Sequence, residues 1–167
     1  MLGKLIPVKK DLRFERTYAA PRDRVWHAWT DAAQLRQWWG PEKTFIPECD
    51  VDARIGGVMR IVMEADEGMG KYAGTRWPME GTITELVEGA RLVLDARSWT
   101  EGEEAATTVR HTTALSLADA PGGGTAMTLA ITITEIGPEA RMAAFGMKWG
   151  YKAQFDKLAT LLATPST

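Results

Sequence analysis

The residues best placed to do chemistry in this chain are His111, Cys49 and the pair Asp50 and Asp52, and all of them fall in stretches of period two. In TTVRHTTALSL, His111 shares a side with Val109, Thr113, Leu115 and Leu117, so alternation points it toward the concave face of a sheet. A lone inward imidazole could orient a polar ligand group or act as a general base. The plainer assignment is a core histidine satisfied by hydrogen bonds. Cys49 also points inward, but no histidine lies near it in sequence and no helix N-terminus is at hand to lower its pKa, so it is expected to be inert. Asp50, Asp52 and Arg54 share the opposite side of the same strand, where an ion pair at the sheet edge is a better fit than an acid/base pair. No G-x-S-x-G, P-loop or H-E-x-x-H string occurs. With one cysteine and only His27 and His111 beside it, neither a disulfide framework nor a Cys/His zinc site can be built from one chain. No cofactor and no metal are expected.

What the composition favours is binding. Of the seven tryptophans, Trp26, Trp29 and Trp38 are spaced as core between short helices and a sheet. Trp39, Trp77, Trp99 and Trp149 are less well explained by periodicity and are the better candidates for a pocket or partner surface. The inward strand positions Phe45, Cys49, Val51, Met59, Ile61, Met63, Met127, Leu129, Ile131 and Ile133 are almost wholly apolar, and the methionines among them can adapt to varied shapes.

These residues need a scaffold to converge. LRFERTY reads as a first strand closed by Ala19-Ala20-Pro21, and PRDRVWHAWT as a short amphipathic helix. Asp31 with Gln34 three positions on looks like a capping box for a second helix over Ala32 to Trp38, ended by Gly40-Pro41. Strand signals follow from Phe45, turn at IGGV, and return in MEGTITELVE, RLVLDARSW, TTVRHTTALSL and TAMTLAITITE. EADEGMGKYAGTRWP reads as an exposed loop, and TEGEEA and ADAPGGG as turns. After Gly137-Pro138 the pattern turns helical for about 25 residues. Ala140, Ala144, Met147, Tyr151, Phe155, Leu158 and Leu162 form one stripe, with Lys148, Lys152 and Gln154 nearer its margins and Pro165 where the chain frays. Met142, Phe145 and Trp149 lie well off that stripe, so a loop of the chain or a second copy in a two-fold dimer is expected to cover them.

The expected fold is α+β, a helix grip: a curved antiparallel sheet of about seven strands wrapped around the long C-terminal helix, with two short helices closing one end. The 167 residues make one domain, with its core over 12–163. A net charge of −2 and the lack of a Lys/Arg-rich run argue against nucleic acid. No apolar run approaches a bilayer span and MLGKLIPVKK is too polar for a signal peptide, so no membrane partner and a cytoplasmic location are expected.

Taken in order, AAPRDRVWHAWTD, QWWGP, DVDARIGGVMR, EGTITEL, RLV, GGGT and GYKAQFDKLATLL resemble the domain homologous to the activator of the heat-shock-protein-90 ATPase, within the START-like, polyketide-cyclase-like superfamily. The resemblance spans Leu12 to Leu162. It implies a helix grip with a cavity for a lipophilic ligand, and does not by itself imply a reaction. One departure is Gly150-Tyr151, where the family usually has Gly-Trp; here the tryptophan is Trp149, on the other side of the helix. Another is that the family's chaperone-stimulating eukaryotic members carry a further N-terminal domain for which this chain has no room.

The first expectation is therefore a module that binds a hydrophobic or amphipathic small molecule, its cavity formed by Trp39, Phe45, Cys49, Met59, Met63, Trp77, Trp99, His111, Met127, Met147 and Tyr151. The alternatives are a stress-response partner of a chaperone, resting on the resemblance alone, and a cyclase- or hydrolase-type enzyme using His111 with a positioned water.

Overall fold

A computed structural model describes residues 4–164, and Pro165 lies outside them. β1 (Ile6–Tyr18) is followed by α1 (Arg22–Thr30) and α2 (Ala32–Trp38), then by β2 (Thr44–Val51), β3 (Val58–Ala65), β4 (Arg76–Val87) and β5 (Arg91–Ser98). A one-turn helix α3 (Glu104–Thr107), β6 (Val109–Ala120), β7 (Gly124–Ile136) and α4 (Arg141–Ala163) complete the chain. The seven strands form one antiparallel sheet in the order β1-β7-β6-β5-β4-β3-β2. From β2 to β7 this is a meander of sequential neighbours, and β1 joins it only by pairing with β7. The fold is the expected helix grip, with α4 against the concave face and α1 and α2 carrying the chain from one sheet edge to the other.

The two short helices are fixed by aromatic packing. Trp38 is fully buried, its ring 4.8 Å from that of Trp29 in an edge arrangement, and its indole N–H donates to the Ala28 carbonyl at 2.8 Å. Burying the ring while satisfying its one donor is what allows an indole at a helix end. Trp26, Trp29 and Trp38 are all core, as their spacing predicts. Asp31 does cap α2, its carboxylate accepting from the Ala33 amide, but the capping box is incomplete. The Asp31 amide is already used in closing α1 onto the His27 carbonyl, so the Gln34 side chain reaches the Asp31 carboxylate instead, at 3.4 Å.

Four local expectations are corrected. Phe45 is 46% exposed while Ile46 is buried, because a β-bulge between Phe45 and Glu48 sets three steps of β2 against two of β3 and reverses the alternation. The stretch read as a loop from Glu64 to Pro78 is shorter: β4 begins at Arg76, so Trp77 and Pro78 belong to the sheet, opposite Met63 and Val62. TEGEEA holds the start of α3 rather than a bare turn. Finally, α4 starts at Arg141 and not at Pro138. The Gly137 amide donates to the Thr108 carbonyl at 2.7 Å and the Glu139 amide to that of Ala106 at 2.8 Å, which holds this segment against α3.

Along α4, Ala144, Tyr151, Phe155 and Leu158 are buried and Met147 is half-buried, while Lys148 and Lys152 are exposed. Gln154 departs from expectation: it is 5% exposed, not marginal. Met142, Phe145 and Trp149 are 83%, 59% and 68% exposed, so among the described residues no loop covers them. Lys10 sits 3.8 Å over the Phe145 ring and Lys152 5.0 Å over that of Trp149. The ion pair expected at the sheet edge is present, with Arg54 Nε 2.8 Å from Asp52 Oδ2.

Candidate functional site

Between the first half of α4 and the ends of β3, β4 and β5 the grip does not close completely. A cavity of about 300 Å³ remains there, and a side lobe of about 180 Å³ adjoins it. The helix supplies Ala143, Gly146, Met147, Gly150, Tyr151 and Gln154, one face at helical spacing with little or no side chain at three of its six positions. A Cβ built at Gly146 or Gly150 meets no heavy atom within 4 Å, so the helix leaves open space at both positions. The sheet supplies Met63, Trp77, Pro78, Met79 and Ser98, and the turn after α2 supplies Trp39 and Pro41. Trp99, Thr100, Thr107 and Val109 line the side lobe. Neither lobe has a charged side chain in its wall.

The turn beside the cavity depends on Gly40. Its φ of 84° is left-handed, and a Cβ there would lie 2.7 Å from Thr44 Oγ1 and 2.9 Å from Met63 Sδ. Reversing the chain at this point directs the Gly40 amide at Gln154 Oε1, 3.0 Å away, and tethers the turn to α4. Lys157 adds a second tether, its ammonium donating to the Gly40 carbonyl at 3.0 Å. Trp39 then packs edge-on against Tyr151, with ring centroids 5.8 Å apart.

Of the residues expected at the site, Trp39, Met63, Trp77, Met147 and Tyr151 line the main cavity and Trp99 the side lobe. Phe45 lies on the outer face, as described above. Met59 and Met127 are each 1% exposed and belong to the closed core, and Cys49 is half-buried in β2 outside the cavity wall. Burial pushes the Cys49 thiol up to about 11, against the pull of Arg36, so it is no nucleophile at neutral pH.

His111 is inward and 1% exposed, but it stands behind the wall and not in it. Its Nδ1 is 2.8 Å from Thr113 Oγ1, and its Nε2 is 3.3 Å from the Oγ of Ser98, which lines both lobes. Burial lowers its pKa to about 4, with Asp95 acting weakly the other way. A hydroxyl–imidazole–hydroxyl chain of this kind orients Ser98. It is poorly built for nucleophilic catalysis, because the imidazole is a weak base and both its nitrogens face hydroxyls, neither facing a carboxylate that would stabilise an imidazolium.

Ser98, Gln154, Pro41, Pro78, Met79, Gly146 and Gly150 complete the wall without having been singled out in the sequence. Ser98 was within reach, since Leu92, Leu94, Ala96 and Ser98 alternate onto one face. Gln154 also falls at helical spacing from Tyr151 and Leu158, but its polarity suggests the margin. A larger hollow of about 670 Å³ lies outside the grip beside Arg24, His27 and Leu162 and holds none of the expected site residues. The Arg24 guanidinium there is occupied, donating to Gln34 and to the Leu161 carbonyl.

A curved antiparallel sheet gripping one long helix over an apolar, uncharged cavity defines the helix-grip class of α+β domain. Residues 19–163 match the family described as Activator of Hsp90 ATPase homolog 1-like protein, and the chain belongs to that family. No curated protein matches it. Among solved structures, it is similar to an uncharacterized protein from Rhizobium leguminosarum at 20% identity, with a TM-score of 0.78, over 95% of this chain and 97% of that one. A protein from Mycobacterium smegmatis aligns over 98% of this chain and 100% of its own at 21% identity and a TM-score of 0.73. The AHSA1 protein from Silicibacter pomeroyi aligns over 92% and 98% at 24% identity and a TM-score of 0.68. At these identities the likeness is one of fold.

Proposed function

We propose that the protein is a cytoplasmic binding module that takes a hydrophobic or amphipathic small molecule into the cavity beneath α4. The observation that carries this reading is the cavity wall itself: indoles and thioethers from Trp39, Trp77, Met63 and Met147 around space that the helix leaves open at Gly146 and Gly150. Flat aromatic walls and adaptable methionines suit a largely apolar guest, whose transfer from water contributes about 25 cal/mol per Å² buried. In this reading Ser98 meets a polar group of the ligand, and His111 holds the Ser98 hydroxyl in place.

The test is titration of tryptophan fluorescence with a panel of alkyl and aromatic probes against the wild type and Gly146→Leu. The leucine is directed into open space, so the variant is expected to fold as well as the wild type and to lose at least tenfold in affinity. Equal binding by both proteins would move the site elsewhere.

A second copy of the chain is the partner proposed for the strip of Met142, Phe145 and Trp149. Sedimentation equilibrium is expected to show a dimer at micromolar concentration that Trp149→Asp dissociates. A wild type that stays monomeric would remove this partner.

A further inference from the structure

The Gln154 carboxamide is the one polar side chain in the cavity wall that combines near-complete burial with a group left without a partner among the described residues. Its two ends can be told apart chemically. The Gly40 amide can only donate, so the atom 3.0 Å from it is the carbonyl oxygen, and the amino nitrogen Nε2 occupies the other branch. That nitrogen is buried and donates to nothing, on a residue that is 5% exposed. An unsatisfied buried donor is costly, and because Gln154 belongs to the cavity wall, a molecule in the cavity can supply the missing acceptor once the wall gives way locally, the nitrogen itself being closed to water in the structure as it stands.

The rest of the wall limits what that acceptor can be. No Lys, Arg or His side chain lines either lobe. The nearby cation Lys157 is spent on the Gly40 and Trp39 carbonyls behind the turn. A carboxylate brought to Gln154 would lose its hydration and find in exchange only neutral donors, the Gln154 N–H and the Ser98 hydroxyl, a heavy penalty in an apolar site. A neutral carbonyl loses far less on desolvation and accepts the same hydrogen bond.

We infer that the ligand of this cavity is an uncharged molecule with a carbonyl-type acceptor, an ester or ketone on an apolar body, bound through Gln154 Nε2, and that the site discriminates against free carboxylic acids at neutral pH. This rests on the cavity being a binding site, and the experiment separates the two.

Methyl octanoate, octanoate and octane would each be titrated by tryptophan fluorescence against the wild type and Gln154→Met, which keeps the length of the side chain but removes both its donor and the acceptor of the Gly40 amide, so octane binding also reports whether the turn has moved. The wild type is expected to bind methyl octanoate at least tenfold more tightly than octanoate or octane. Gln154→Met is expected to weaken methyl octanoate about tenfold and leave octane unchanged, a single neutral hydrogen bond being of that size. If octanoate or octane binds the wild type as tightly as the ester, the inference is overturned and the cavity stands as an unselective apolar site. If none of the three binds up to its solubility limit, the binding function falls and the inference with it. Should Gln154→Met not fold, the order of the three affinities in the wild type decides alone.

Discussion

Phe155→Ala is expected to lower the free energy of unfolding by about 3 to 5 kcal/mol, the range for truncating a buried phenylalanine without collapse of the space it leaves. Collapse is blocked on every side. Phe155 is 1% exposed, and its ring centroid lies 5.6 Å from Phe14 on β1, 5.7 Å from Tyr151 on α4 and 6.3 and 6.4 Å from Trp29 and Trp38 on the two short helices. Rings held by four different elements cannot all shift into one void. Against a total stability of about 5 to 15 kcal/mol the loss is a large fraction, and at the lower end of that range it leaves much of the protein unfolded. Denaturant melts of the two proteins measure it, and a change below about 1 kcal/mol would mean that α4 is not anchored through this ring.

The second large effect is a dependence on pH set by His111. Its pKa is about 6.5 in the unfolded chain and about 4 in the fold, so between those values the unfolded state binds the extra proton. Stability from this group is complete above about pH 6.5 and is lost as pH falls toward 4, by about 3 kcal/mol in all and about 2 kcal/mol by pH 5. Carboxylates titrate in the lower part of the same range, so the quantity to measure is the difference between the wild type and His111→Phe from about pH 7 to pH 5. The wild type should lose its excess stability over that interval. A constant difference would mean that His111 titrates in the fold as it does in the unfolded chain, so that burial beside Thr113 and Ser98 does not hold it neutral.

The succession of strands and helices along the chain, both short helices and most of α4 were legible because their apolar residues keep the period of one element for long enough to be read; the pairing of β1 with β7 carries no such signal. Phe45 was misread because Pro47, which marks either a bulge or an edge strand, fits an unbulged edge strand equally well, and one extra residue reverses the side chains on its far side. The start of α4 was placed too early because Pro138 suits a first helical turn, whereas the segment is held back by pairing with Ala106 and Thr108, residues about thirty positions upstream in sequence. At the site, the aromatic and methionine walls were legible as types. The cavity itself was not, because it opens where side chains are absent, at Gly146 and Gly150. Gln154 lay hidden for a related reason: polarity on a helix normally means solvent, and only the amide of Gly40, displayed by a left-handed turn far away in sequence, explains why this one is inside. The same logic accounts for Tyr151 and Trp149, since the smaller phenol closes the cavity while the indole stands in solvent.

The pairing of the first strand with the last also orders events in time. Phe14 finds its ladder partner at Leu129, more than a hundred residues later, whereas every other pairing in the sheet joins consecutive strands. As the chain leaves a ribosome, β2 through β6 can pair as soon as each hairpin is complete, while β1 keeps its amides and its apolar face unpaired until β7 has been made. Phe155, the ring that Phe14 rests against, is synthesised later still. From the completion of β1 until β7 is made, the nascent chain therefore carries an open strand.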